Sequence, residues 1–190
     1  KVTYFSLCAK GSFFDLIADT ASNTALPKSD KLAELEAVTK ELKLITICGA
    51  KTSPMADEIN GKTFYPNENP MGIKEFTINL DDDYGEFNYV NAQGNKTIKF
   101  GFQKNVWQQF PEKGYSKEFG GMRTEDHIYR CASSGAWAQE NKLKILVQIV
   151  DEYIGTVDIV IAFNDGKAVM QMIGDAEDFL KEYNGYLTAE

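Results

Sequence analysis

The chain has 190 residues, a formal net charge of −8 and only two arginines, Arg123 and Arg130, which excludes nucleic acid as a partner because phosphate binding needs a basic surface. Hydrophobic residues make up 43% and charged residues 25%, a globular composition, and no apolar run is long enough to cross a bilayer. The length suits one full-sized domain with a short appendage, not two domains.

The chain starts at Lys1 with neither an initiator Met nor a signal-peptide pattern, so a fragment or processed chain is expected and localisation stays open. "KVTYFSLCAK" alternates like a strand, and Ser12-Phe13-Phe14-Asp15 has capping-box spacing that predicts a helix from Phe13 to about Ser22. Leu26-Pro27 stops it. A second helix opens at Ser29-Asp30 with Leu32, Leu35, Val38 and Leu42 as a single apolar stripe. The loop "AKTSPMADEIN" lacks periodicity, which places a boundary near residue 50, with an appendage over 1–50 and a second unit over 51–190.

From Lys62 the hydrophobic period becomes two. Phe76, Ile78 and Leu80 line one face; "DDDYG" turns the chain; Phe87 and Tyr89 follow; "AQGN" turns it again before Ile98, Phe100 and Phe102. "PEKGYSKEFGGM" reads as a longer connection. Strands are then expected at His127–Ala132, Leu143–Ile149, Val157–Phe163 and Ala168–Ile173, with Asn164-Asp165-Gly166 as the strongest hairpin signal. With a short run at Lys62–Tyr65 this makes about eight antiparallel strands, the pattern of an up-and-down barrel, mainly β and α+β overall. Asp175 is expected to cap a short C-terminal helix carrying Ala176, Phe179, Leu180 and Tyr183, ended by Gly185.

Chemistry-bearing motifs are sparse. There is no SxxK, GxGxxG, P-loop or HExxH; Tyr65-Pro66-Asn67 and Tyr89-Val90-Asn91 match only one element of a penicillin-recognising site, and a sheet-mouth turn explains the first better. His127 is the single histidine; in a strand it lies some 13 Å from Cys131 at about 3.3 Å per residue, too far for a thiol–imidazole pair. Cys8, Cys48 and Cys131 lack CxxC pairing and read as reduced thiols. Asp81-Asp82-Asp83 with Glu86 lacks the ligand spacing of a calcium loop and reads as a solvated turn. No catalytic residue, metal site or cofactor is expected. Trp107 and Trp137 are candidate pocket-lining residues, with Arg123 and Arg130 as candidate carboxylate anchors.

The ordered segments "INGKTFYPNENPMGIKEFTINL", "IKFGFQKNVW" and "ASSGAWAQENKLKILVQIVDEYIGTVDIVIAFNDGKAVMQM" resemble the C-terminal region of bacterial β-lactamase-related, class C-like serine hydrolases and penicillin-binding proteins. That resemblance implies a lipocalin-like barrel acting as a non-catalytic accessory domain, with Lys1–Cys48 as the tail of an upstream catalytic domain of the same polypeptide. A homo-oligomer through residues 1–48 is also expected, because the two apolar stripes exceed what short helices bury against each other. The alternative expectation, from another class, is a small-ligand carrier using the barrel interior around Trp107 and Trp137.

Overall fold

The computed structural model describes residues 24, 30–115, 123–151, 153–176 and 179–190, which fall in two compact units, Lys1–Lys43 and Leu44–Glu190. In the first unit, helix α1 (Leu32–Glu41) forms where the apolar stripe and good helix formers coincide, and it buries none of its residues. The helix expected at 13–22 and the strand at 1–10 lie outside the described residues.

The second unit is a nearly closed barrel of up-and-down strands. Among the described residues its ten strands are β1 (Thr63–Phe64), β2 (Glu75–Leu80), β3 (Tyr84–Asn91), β4 (Gly94–Phe102), β5 (Val106–Tyr115), β6 (Arg123–Gln139), β7 (Lys142–Val150), β8 (Ile154–Asn164), β9 (Lys167–Asp175) and β10 (Gly185–Ala189). Alternating β-branched and aromatic residues drive the pattern: side chains of β2, β3, β8 and β9 alternate between buried and more exposed, and β7 does the same except where Gln148 is buried between Val147 and Ile149. Sequential strands pair antiparallel from β1 to β4 and from β5 to β10. The β8–β9 hairpin turns on Asp165 (φ 49°) and Gly166 (φ 76°), the pair of positive angles that Asp-Gly supplies.

Two joints complete the circuit. At the seam, Tyr65 N donates to Glu190 O (2.9 Å), Glu190 N to Tyr65 O (3.4 Å) and Asn67 N to Thr188 O (3.0 Å), so the segment after β1 pairs with β10. The stretch around Tyr65-Pro66-Asn67 is therefore the closing edge of the sheet. At the other joint β4 meets β6 in a short parallel contact, Gly101 with Ser134 and Phe102 with Gly135, while β4 and β5 share no ladder. Side chains span that break instead: Gln108 Oε1 accepts from Lys99 N (3.0 Å), and Gln108 Nε2 donates to Lys99 O (2.6 Å) and Ser133 Oγ (3.0 Å).

Two strands escape a sequence-based count of eight. β5 contains Pro111 and a double register shift between Gln109 and Tyr115, which breaks its alternation; Pro is tolerated there because the β4-facing edge carries no ladder. β10 occupies what was expected to follow a C-terminal helix. Instead of a helix, Leu180 adopts a left-handed conformation (φ 63°), only Lys181–Tyr183 form a 3-10 turn, and Gly185 opens a strand. Apolar spacing there reflects a plug: Phe179, Leu180 and Tyr183 are buried at one end of the barrel.

Residues 44–50 lie extended on the outside of β6 and β7. Ile47 N donates to Ser134 Oγ (3.1 Å), Gln148 Nε2 to Ile45 O (2.8 Å), and Ala50 exchanges two backbone hydrogen bonds with Trp137. They hold to the barrel through these bonds, so the compact unit begins at Leu44. Gly49 is required in this strap, since a Cβ would stand 2.6 Å from Trp137 O.

The core is aromatic and tightly keyed. A Cβ on Gly85 would stand 2.2 Å from the Phe100 ring and one on Gly135 2.5 Å from it, so β3 and β6 both yield space to one phenyl group. Gly135→Ala is expected to cost about 1–3 kcal/mol, read as a lower urea midpoint. In a Phe100→Ala background, itself about 3–5 kcal/mol less stable, the added cost of Gly135→Ala is expected to shrink, which a double-mutant cycle measures.

Candidate functional site

A barrel interior that holds a long apolar ligand must leave its lining in contact with ligand-sized space. Here Phe76, Phe87, Ile98, Phe100, Leu143, Ile145, Ile159 and Ile161 are each 0–1% exposed, and rings pack in sequence from Phe64 to Phe76, Phe87 and Tyr89. The middle of the barrel is a packed core.

Polar chemistry enters this core at its plugged end, beside the β4–β5 break. Inward-facing positions of β4 run Lys96, Ile98, Phe100, Phe102, so Lys96 places an ammonium where alternation calls for hydrocarbon. Its Nζ donates to Pro111 O (3.0 Å) and lies 3.5 Å from Glu112 Oε2, with side chains 8% and 0% exposed. The pair spans the break. Nearby the hydroxyls of Tyr89 and Tyr183 share a 2.9 Å hydrogen bond, and Phe110 packs 5.4 Å from the Tyr183 ring. Burial pushes the Tyr89 phenol far above its usual range, against the lowering effect of the Tyr183 hydrogen bond, and the charges of Glu112 and Glu182 push the same way as burial. Cys131, further along the inner face of β6, is raised by burial to about 12, with a hydrogen bond from Ser133 opposing.

A buried ion pair is weak evidence for stability, because desolvating two charges consumes most of the Coulomb attraction. Lys96, Glu112, Tyr89 and Tyr183 together form a polar seat in a hydrocarbon interior, able to take a small head group by charge and hydroxyl donation.

Of the candidate residues read from the sequence, Trp107 and Trp137 differ sharply in exposure. Trp107 is 65% exposed on the outer face of β5 and Trp137 is 3% exposed, packed 6.2 Å from Phe163. The Arg130 side chain is 73% exposed, with Nε 3.5 Å from Asp151 Oδ2, and Arg123 starts β6 opposite Tyr115. His127 stacks edge-on to Tyr129 at 4.9 Å. Among the described residues no group of three or more His, Cys, Asp or Glu is placed to hold a metal ion, and no helix is long and apolar enough to cross a membrane. The seat itself was legible as a lysine and a glutamate one step along strand faces that otherwise bury Ile98, Phe100 and Phe110.

No family model matches the chain, and no curated protein matches it. Solved structures with a similar course include apo lipid binding protein 8 of Caenorhabditis elegans (10% identity, 73% of this chain and 96% of that one, TM-score 0.45). A fatty-acid-binding protein from brain tissue of Drosophila melanogaster (11%, 69% and 97%, 0.42) and one from Manduca sexta (12%, 70% and 98%, 0.41) are similar to the same extent. The expected resemblance to β-lactamase-related serine hydrolases and penicillin-binding proteins is thereby corrected: no sequence match supports it, and the similar structures are lipid-binding barrels. The ordered Trp, Gly and alternating segments that carried it follow from barrel geometry and do not discriminate between barrels. The upstream catalytic domain, which was implied by that resemblance alone, loses its support with it.

Tyr89 and Cys131 both have folded-state pKa values raised by burial, so their contribution to stability is complete below their unfolded values and is lost as pH rises past them. Resistance to urea is expected to fall above roughly pH 9, and less steeply in a Tyr89→Phe/Cys131→Ala variant. In a Cys8→Ser background, exposed Cys48 should react with a thiol reagent at once and buried Cys131 only on unfolding.

Proposed function

We propose that this chain is a non-enzymatic, small-ligand-binding barrel whose seat is the polar cluster at the β4–β5 break. One observation supports this above others: a lysine and a glutamate, 8% and 0% exposed, sit inside an otherwise apolar core where β4 and β5 share no backbone ladder. Gln108 bridges the break with side-chain bonds, and two or three such bonds are easier to open than a strand ladder.

Packing limits the ligand. The middle of the barrel is filled, so a long acyl chain has no room without displacing aromatic side chains, and the reading is of a compact ligand with an anionic head and a short apolar body. Lys96 would meet the head by charge-assisted hydrogen bonding, the hydrogen-bonded Tyr89–Tyr183 hydroxyl pair would add one donor, and Phe110 would cover the body. Glu112 competes for Lys96 and so tunes affinity.

Calorimetric titration with benzoate, hexanoate and octanoate, alongside the matching alcohols, tests this reading. Carboxylates are expected to bind and alcohols to bind more weakly. A Lys96→Met/Glu112→Leu variant, which removes both charges and keeps the volume, should lose about tenfold or more in carboxylate affinity. Absence of binding by every carboxylate at millimolar concentration, or equal affinity in the double variant, would overturn it.

A further inference from the structure

The strap over residues 44–50 meets the outer wall of the barrel through its main chain. Asn105 Nδ2 donates to Leu44 O (3.5 Å) and Ile45 O (3.2 Å), Gln148 Nε2 to Ile45 O (2.8 Å) and Gln103 Nε2 to Gly49 O (3.4 Å), while Ser134 Oγ accepts from Ile47 N (3.1 Å). Ala50 and Trp137 supply the one backbone pair. Three amides and a hydroxyl from the β4–β5 turn, β6 and β7 thus converge on the carbonyls and N–H groups of a single extended segment. Outward-facing side chains of a barrel wall ordinarily bond to water, so this convergence is specific to the segment it receives.

Burial of the strap's own side chains is not what holds it. None of residues 44–50 is buried, Ile45 is 70% exposed and Cys48 is exposed. The next tether along the chain, Lys51 Nζ to Asp83 Oδ1 (2.9 Å), joins side chains 43% and 50% exposed, and such a pair adds little in water.

The wall beneath is shaped for a backbone. Ser134 and Ala136, alternate residues on the outer row of β6, are small and fully covered. A Cβ at position 49 would stand 2.9 Å from the Ala136 Cβ as well as 2.6 Å from Trp137 O, so the wall selects glycine at that point. Gln148 interrupts the alternation of β7 as a covered polar residue, and its amide is spent on Ile45 O.

We propose that this stretch of outer wall is a recognition surface for one extended peptide strand, filled here by residues 44–50 of the same chain and open, once that strap lifts, to a separate peptide with a glycine opposite Trp137. Recognition through the main chain gives affinity while leaving the outward positions 45 and 48 free to vary. Lifting the strap returns its polar groups, and those of Gln148 and Ser134, to water, so release strands no donor in hydrocarbon. The surface shares no residue with the Lys96 seat, and the two readings stand or fall separately.

Hydrogen exchange on the intact 190-residue chain reads release. The Ile47 and Ala50 amides are expected to exchange about tenfold or more faster than the slowest amides of the β7–β8 ladder, and without dependence on low urea. Exchange of both only with the ladder, at its rate and with its urea dependence, would overturn the proposal. Peptide binding is read after cleaving, in the folded protein, a protease site inserted between Thr52 and Ser53. A fluorescent peptide of residues 44–51 carrying Cys48→Ser is expected to raise its anisotropy saturably and to displace the cleaved strap. The same peptide with Gly49→Val should bind about tenfold or more weakly, with Ile45→Ala close to the parent, and Gln148→Leu in the protein should weaken binding about three- to tenfold. No saturable binding at submillimolar peptide, or equal affinity of the Gly49→Val peptide, overturns the assignment; where cleavage itself unfolds the barrel, the exchange result on the intact chain decides.

Discussion

Three backbone hydrogen bonds between residues 65–67 and 188–190 decide whether this sheet has edges. Without them β1 and β10 would each present unpaired N–H and C=O groups, which makes an open sheet prone to pairing with other chains. With them the strand circuit closes, and the inward rows of Phe, Ile, Val and Met side chains face one another across a shared core. Asn67 reinforces the joint through its amide to Thr188 Oγ1 (3.0 Å), while Asn69 ties the following loop back to Ile73. Everything inward depends on that closure.

The opposite joint is built on another principle. Between β4 and β5 the wall is stitched by Gln108 and by the reach of Lys96 to Pro111, so its cohesion lies in side chains rather than in a ladder. A ladder opens only by separating many bonds together. Side-chain stitching can open bond by bond, without the concerted separation that a ladder requires. The barrel thus combines a filled, rigid middle with polar features confined to its ends.

How much of this was legible depended on periodicity. The strand at Val157–Phe163 buries every second residue without interruption, so direction, facing and hairpin turns follow from the residues. β5 did not, because Pro111 and the register shifts around it scramble alternation, and its role emerges only from pairing with β6. Ala176, Phe179, Leu180 and Tyr183 have helical spacing, yet that spacing serves a plug formed by a left-handed residue and a short turn; three-dimensional closure overrode local preference. For the sites, tryptophans and arginines drew attention as residue types, whereas the seat is marked by polar residues in apolar register.

The Phe100 ring, pressed between Gly85 and Gly135, has a bearing on how this fold can diverge. Three positions on three strands fill one volume, so none is free to change by itself: a side chain gained at 85 or 135 must be matched by one lost at 100. Single-step histories that pass through an overfilled intermediate are disfavoured, and those that first shorten residue 100 pass through an underfilled one. Inheritance at these sites is expected to run in concert, tracing in any set of descendants the contact between strands that are distant along the chain.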